Sequence, residues 1–118
     1  MRRSLNPLWL HRETEIKSDA DLIRMATDFR EAITLGDSEG YCVCVSTVLQ
    51  AVLLRSCKIN CTMINGSIGA QCHSWLLLED GRILDATADQ FNFSPFLPKM
   101  PAVYLGERPL YYLEPPLA

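Results

Sequence analysis

Seven residues in this chain could carry thiol or imidazole chemistry: Cys42, Cys44, Cys57, Cys61, Cys72, His11 and His73. The stretch EGYCVCVSTVLQAVLLR, from Glu39 to Arg55, puts Cys42 directly after Gly40-Tyr41, where a buried helix should begin. A cysteine in a first helical turn faces free backbone N–H groups and the positive end of the helix dipole, which favour thiolate over thiol. The same N–H groups can donate to the oxyanion formed when a carbonyl is attacked. Nucleophilic catalysis also needs a base, and the base needs an orienting partner. His73 opens the segment HSWLLLEDGRILDATADQF, which also holds Asp85 as the natural acid.

Two helices and a hairpin must position these groups. Ser18 to Leu35 reads as a helix, with Ser18 and Asp21 resembling a capping box. Leu22, Ala26, Phe29 and Ile33 form its apolar stripe, and Gly36 should end it in the left-handed conformation. Cys42 to Ser56 reads as the central, mostly buried helix through Val45, Val48, Leu49, Val52 and Leu53. Strands are predicted at 60–64, 73–78 and 82–86, with short edge strands at 102–105 and 110–113 in a tail broken by prolines. Helix, helix, then strands implies an α+β fold with helices packed on a small antiparallel sheet.

The hairpin register tests whether His73 and Asp85 can meet. A two-residue turn at Asp80-Gly81 would put Asp85 opposite Leu76, on the wrong face. A three-residue loop, Glu79-Asp80-Gly81, pairs Leu78 with Arg82. Asp85 then lies opposite Trp75, on the face of His73 and diagonal to it. Glycine in third place favours that loop. Asp89 and Asn92 are reserve candidates for the acid, while Thr87 and Gln90 could satisfy the backbone where the strand ends.

Together these segments resemble the core of the transglutaminase-like and papain-like cysteine enzymes. GYC is similar to the cysteine segment of arylamine N-acetyltransferases, and GYCVCVS matches the papain pattern GSCWAFS at its glycine, cysteine and serine. LLRSCKIN resembles the helix exit LLRxLGIP of bacterial transglutaminase-like domains, departing from it at Lys58 and Asn60. The His73 segment is similar to the His-x-Trp…Asp-Gly…Asp-x-Thr stretch of those domains. The resemblance spans about half the chain, roughly Gly36 to Phe91. It implies a papain/transglutaminase-like core with Cys42 as nucleophile, His73 as base and Asp85 as orienting acid. Acetyltransferases of that kind are much longer, and DATADQF is not the usual continuation in lasso-peptide leader peptidases of similar size.

Other uses of the cysteines fit the spacing less well. Residues two apart on a helix do not share a face, so Cys42 and Cys44 cannot both meet His73. Counting back from Arg55, the spacing usual in transglutaminase-like domains falls between the two; Cys42 fits the glycine-preceded turn better, which would leave Cys44 as a core thiol. Cys57, Cys61 and Cys72 are expected to be small buried hydrophobes. A zinc site is disfavoured because the spacings match no common knuckle and Cys72 and His73 point to opposite faces of a strand.

Composition bounds the rest. The 118 residues suffice for one core, so a single domain is expected: an N-terminal arm at 1–17, a catalytic core at 36–91 and a proline-rich tail at 92–118. Leu8, Trp9 and Leu10 should pack the arm onto the domain. A net charge of −3, with no basic run, gives no footprint for nucleic acid. No apolar run is long enough for a membrane span, and Asn6, Pro7, His11 and Arg12 interrupt any signal peptide. Five cysteines without scaffold spacing read as thiols in the reducing cytoplasm. The expectation is a thiol hydrolase or acyltransferase (peptidase, deamidase or transglutaminase) acting on a peptide or protein, without cofactor or metal. A catalytically silent binding module on the same fold is the alternative.

Overall fold

The computed structural model describes residues 16–35 and 40–115. The apolar patch at Leu8–Leu10, His11 and Gly36 lie outside the described residues. Two helices, α1 (Asp19–Thr34) and α2 (Cys42–Ser56), precede five strands: β1 (Cys61–Ile68), β2 (Gln71–Leu78), β3 (Ile83–Asp85), β4 (Tyr104–Gly106) and β5 (Tyr112–Leu113). A short 3-10 helix, Ala88–Phe91, follows β3. This is the α+β arrangement expected from the sequence.

Ser18 caps α1, its Oγ accepting from the Asp21 N–H at 3.2 Å. The reciprocal bond differs from a capping box: Asp21 accepts from the N–H of Lys17, one residue before the cap. Leu35 ends α1 in the left-handed conformation (φ 56°), and the expectation for Gly36 falls outside the described residues. Its N–H donates to the Glu31 carbonyl, closing the last turn. Helix α2 buries only one face. Val45, Leu49, Val52 and Leu53 point inward, whereas Val43 and Leu54 are exposed.

All strands pair antiparallel in the order β4-β3-β2-β1-β5. β1 is longer than predicted because its pairing with β2 continues through Gly66 to Ile68. In the β2–β3 hairpin Leu76 pairs with Leu84 and Leu77 with Ile83. The Leu78 N–H donates to the Arg82 carbonyl, and Gly81 takes φ +90°. The three-residue loop is therefore the one formed, and its register puts Asp85 opposite Trp75.

The sheet carries a core on each face. Leu76, Leu78, Leu84 and Ala86 pack under the two helices. Ile68, Trp75, Ile83, Phe91 and Tyr112 form a second cluster on the other face. β4 and β5 lie at opposite edges although they are consecutive. The extended chain from Gly106 to Tyr112 reaches at most about 20 Å. The edges of a flat five-stranded sheet stand about 19 Å apart. The turn closed by the Tyr112 N–H on the Pro109 carbonyl shortens that reach, and Tyr112 on β5 bonds Asp85 three strands away on β3, so the sheet is curled and the second cluster fills the curl.

Candidate functional site

His73 lies inside the curl, on the sheet face opposite the helices, whereas Cys42 begins a helix on the other side. They meet at a strand edge. β3 ends at Asp85, level with Trp75, so the remainder of β2 toward Gln71 has no strand beside it there. The first turns of α2 fill the gap. Ser46 Oγ donates to the Ser74 carbonyl at 3.4 Å, and the Ser74 N–H reaches the Cys42 sulfur.

His73 Nε2 donates to Asp85 Oδ2 across 2.6 Å, and both side chains are fully buried. The other oxygen, Oδ1, accepts from the Thr87 N–H at 3.0 Å and from Thr87 Oγ1 at 3.3 Å. The carboxylate is thus held at both ends, and its bond to Nε2 fixes the imidazole tautomer. Nδ1, the remaining ring nitrogen, is buried without a conventional hydrogen-bond partner. The Cys42 thiol is the titratable group that interacts with this imidazole besides Asp85.

That interaction sets the ionisation of both groups. His73 is the largest influence on Cys42 and lowers its pKa. Burial opposes this, and the N–H groups of Ser74 and Val43 reinforce it. Burial alone would push His73 down, but its bond to Asp85 and its interaction with the Cys42 thiol outweigh that and raise its pKa to about 9. Each group thus favours the charged form of the other, which shifts the couple toward a thiolate–imidazolium pair. Tyr41 caps α2 without a side-chain bond. The first-turn N–H groups, which have no acceptor within a helix, are left to face an anion. Gly40 (φ +81°) turns the chain into this position.

Asp85 bonds His73, and the Cys42 thiol interacts with the same imidazole, so these three side chains lie together. The reserve acids are elsewhere: Asp89 pairs with Arg30 at 2.6 Å, and the Asn92 amide bonds the Met100 backbone. Two cysteines depart from expectation. Cys44 is exposed, since it points away from the face that Cys42 shares with the sheet. Cys72 is exposed because α2 starts at the level of Ser74 and leaves this end of β2 uncovered. Cys57 and Cys61 are half-buried, and burial pushes their thiols up, Cys61 to about 11. Among the described residues no group of three or more His, Cys, Asp or Glu side chains could hold a metal ion. Residues 36–39, in the loop that leads into α2, lie outside the described residues.

The sequence reading missed the aromatic enclosure. Phe91 meets the His73 ring edge-on at 5.2 Å, Tyr112 at 5.7 Å, and Trp75 lies 6.0 Å away. The Tyr112 hydroxyl donates to Asp85 Oδ2 at 2.6 Å, the oxygen that His73 also uses. No periodicity marks Tyr112, because it arrives on a two-residue edge strand through the curl of the sheet. Among the described residues no helix is long and apolar enough to cross a membrane. No family model, curated protein or solved structure matches this chain.

Proposed function

We propose that this protein is a cysteine-dependent acyl-transfer enzyme with a papain/transglutaminase-like core, acting on an amide or peptide bond. The observation that carries the reading is the connected chain from the Cys42 thiol through the His73 imidazole to the Asp85 carboxylate. In this mechanism Cys42 Sγ attacks the carbonyl carbon, and the Cys42 N–H at the head of α2 donates to the oxyanion. The His73 imidazolium gives its Nδ1 proton to the departing amine, leaving a thioester on Cys42. Water or a second amine then attacks the thioester while Nδ1 takes its proton, and the thiolate is expelled. Asp85 keeps Nε2 protonated throughout.

Water as acceptor makes a peptidase or deamidase, and an amine makes a transglutaminase. A peptide or protein is the substrate class this reading implies. Five unpaired cysteines suit a reducing compartment, and the cytoplasm is the location this reading implies.

One observation favours the second reading, a silent binding module. The His73 side chain is wholly buried and Cys42 is only 9% exposed, so a substrate can reach the site only from the thiol side. Incubation with a library of peptide amides and thioesters, followed by intact-protein mass spectrometry, separates the two. An acyl adduct on Cys42 that disappears in Cys42→Ala supports the enzyme. Cys42 that acquires no adduct and alkylates no faster than an ordinary buried thiol makes the chain a binding module.

A further inference from the structure

We infer that Tyr112 is a positioning residue which, by sharing Oδ2 of Asp85 with His73, sets how tightly the carboxylate holds the imidazolium. The inference rests on the acyl-transfer reading, and it assigns a role to a residue outside the Cys42–His73–Asp85 set.

Tyr112 is not needed to stop the carboxylate rotating. The Thr87 N–H and hydroxyl already hold Oδ1, and Nε2 of His73 holds Oδ2. What the phenol adds is a second short bond, 2.6 Å, to an oxygen already engaged at 2.6 Å. An anionic oxygen that accepts two strong donors offers less charge to each. Oδ2 with both partners therefore grips the imidazolium less firmly than Oδ2 with His73 alone. That matters at one step, when His73 must release a proton to the leaving amine; too tight an ion pair leaves a poor acid.

The surroundings isolate this effect. Cys42 faces His73 from α2, Asp85 from β3 and Tyr112 from β5, with Phe91 and Trp75 closing the ring. The Tyr112 hydroxyl is near the Asp85 carboxylate and the Tyr111 and Tyr104 phenols, while Arg108 donates to the Tyr112 backbone carbonyl. Burial and the Asp85 charge push the Tyr112 phenol up, so it remains a donor across the working range.

The experiment is a pH titration of His73 by NMR in protein carrying nitrogen-15-labelled histidine. Wild type is compared with Tyr112→Phe and with 3-fluorotyrosine placed at position 112. Removing the hydroxyl should raise the His73 midpoint by about 0.5–1 unit. The fluorinated ring, a stronger donor of nearly the same shape, should lower it. The opposite signs distinguish a tuning role from general loosening, and the fluorinated protein carries the test alone where the Phe variant does not fold. Midpoints equal to wild type, or a fluorinated protein that does not move downward, overturn the inference. Iodoacetamide rates on the same samples report separately on Cys42. An unreactive Cys42 with the expected midpoint shifts sinks the acyl-transfer reading, and with it the positioning role assigned to Tyr112 in that reaction.

Discussion

His73 and Asp85 sit on one face of neighbouring strands, diagonal to each other, and are joined by a 2.6 Å bond with no solvent at either side chain. Loop length decides this relationship. With Gly81 at φ +90°, the loop closes in three residues and Asp85 faces into the curl. Deleting Glu79 should force a two-residue turn, which swaps Ile83, Leu84 and Asp85 to the wrong faces. The expected outcome is loss of the cooperative urea transition. Gly81→Ala keeps the register at a cost of about 1 kcal/mol for the left-handed backbone, with thiol reactivity unchanged.

The five cysteines should separate by alkylation rate. Cys42 gains thiolate character from His73, whereas burial raises Cys57 and Cys61. Iodoacetamide mapped by mass spectrometry at pH 6 should modify Cys42 ahead of these two. His73→Ala should slow Cys42 at that pH by at least tenfold, since the largest influence lowering its pKa is gone. A Cys42 rate indifferent to His73 would contradict the ion pair.

Asp85→Asn tests the far end of the chain. The amide can accept from Nε2, but it carries no charge to stabilise the imidazolium, and an amide NH2 turned toward Nε2 selects the wrong tautomer. Once a substrate is found, turnover should fall on the order of 10²–10⁴-fold. The His73 midpoint should drop in the same variant, because Asp85 raises it in the native protein.

The hairpin and the pairing of His73 with Asp85 were legible because both follow from a strand period of two and a glycine at the third loop position. Helix α2 was legible from Val45, Leu49, Val52 and Leu53. The curl was not, since it depends on how a short tail returns from β4 to the far edge, and no local pattern encodes that. Tyr112 was lost with it. Cys72 shows a related limit. Strand parity correctly set it opposite His73. Whether that face is covered depends on where α2 starts relative to β2. At Leu35, the left-handed conformation favours glycine intrinsically, yet it falls one residue before Gly36 because the helix stops at Thr34.

Gly66 makes a close approach that a methyl group cannot share. A Cβ there would lie 2.2 Å from the Leu113 carbonyl oxygen and 2.5 Å from the Trp75 ring. The first contact is backbone of β5, the strand that carries Tyr112. Gly66→Ala should cost about 1–3 kcal/mol in urea unfolding as β5 or Trp75 is displaced. Because Tyr112 moves with β5, the variant should also alter the His73 titration, whereas Gly69→Ala, with open space around it, should leave that titration unchanged.

The last prediction concerns stability against pH, where the two shifts act in opposite directions. His73 is raised from 6.5 to about 9, so its stabilisation is complete below the unfolded value and is lost as pH climbs toward 9. Cys42 is lowered from 9.0, so its stabilisation grows as pH rises from its folded value toward 9.0. Where the two windows overlap, above the folded value of Cys42 and below 9, the native pair and the unfolded chain each hold one proton, and the two slopes cancel. The wild-type unfolding free energy should be nearly flat there as far as this pair is concerned. Cys42→Ser removes the compensating half. Its stability should decline with rising pH from about 6.5, the decline finishing below 9 because Cys42 no longer helps to raise His73. Urea titrations of both proteins at half-unit intervals measure the difference, and parallel curves would mean that the thiolate–imidazolium pair does not form.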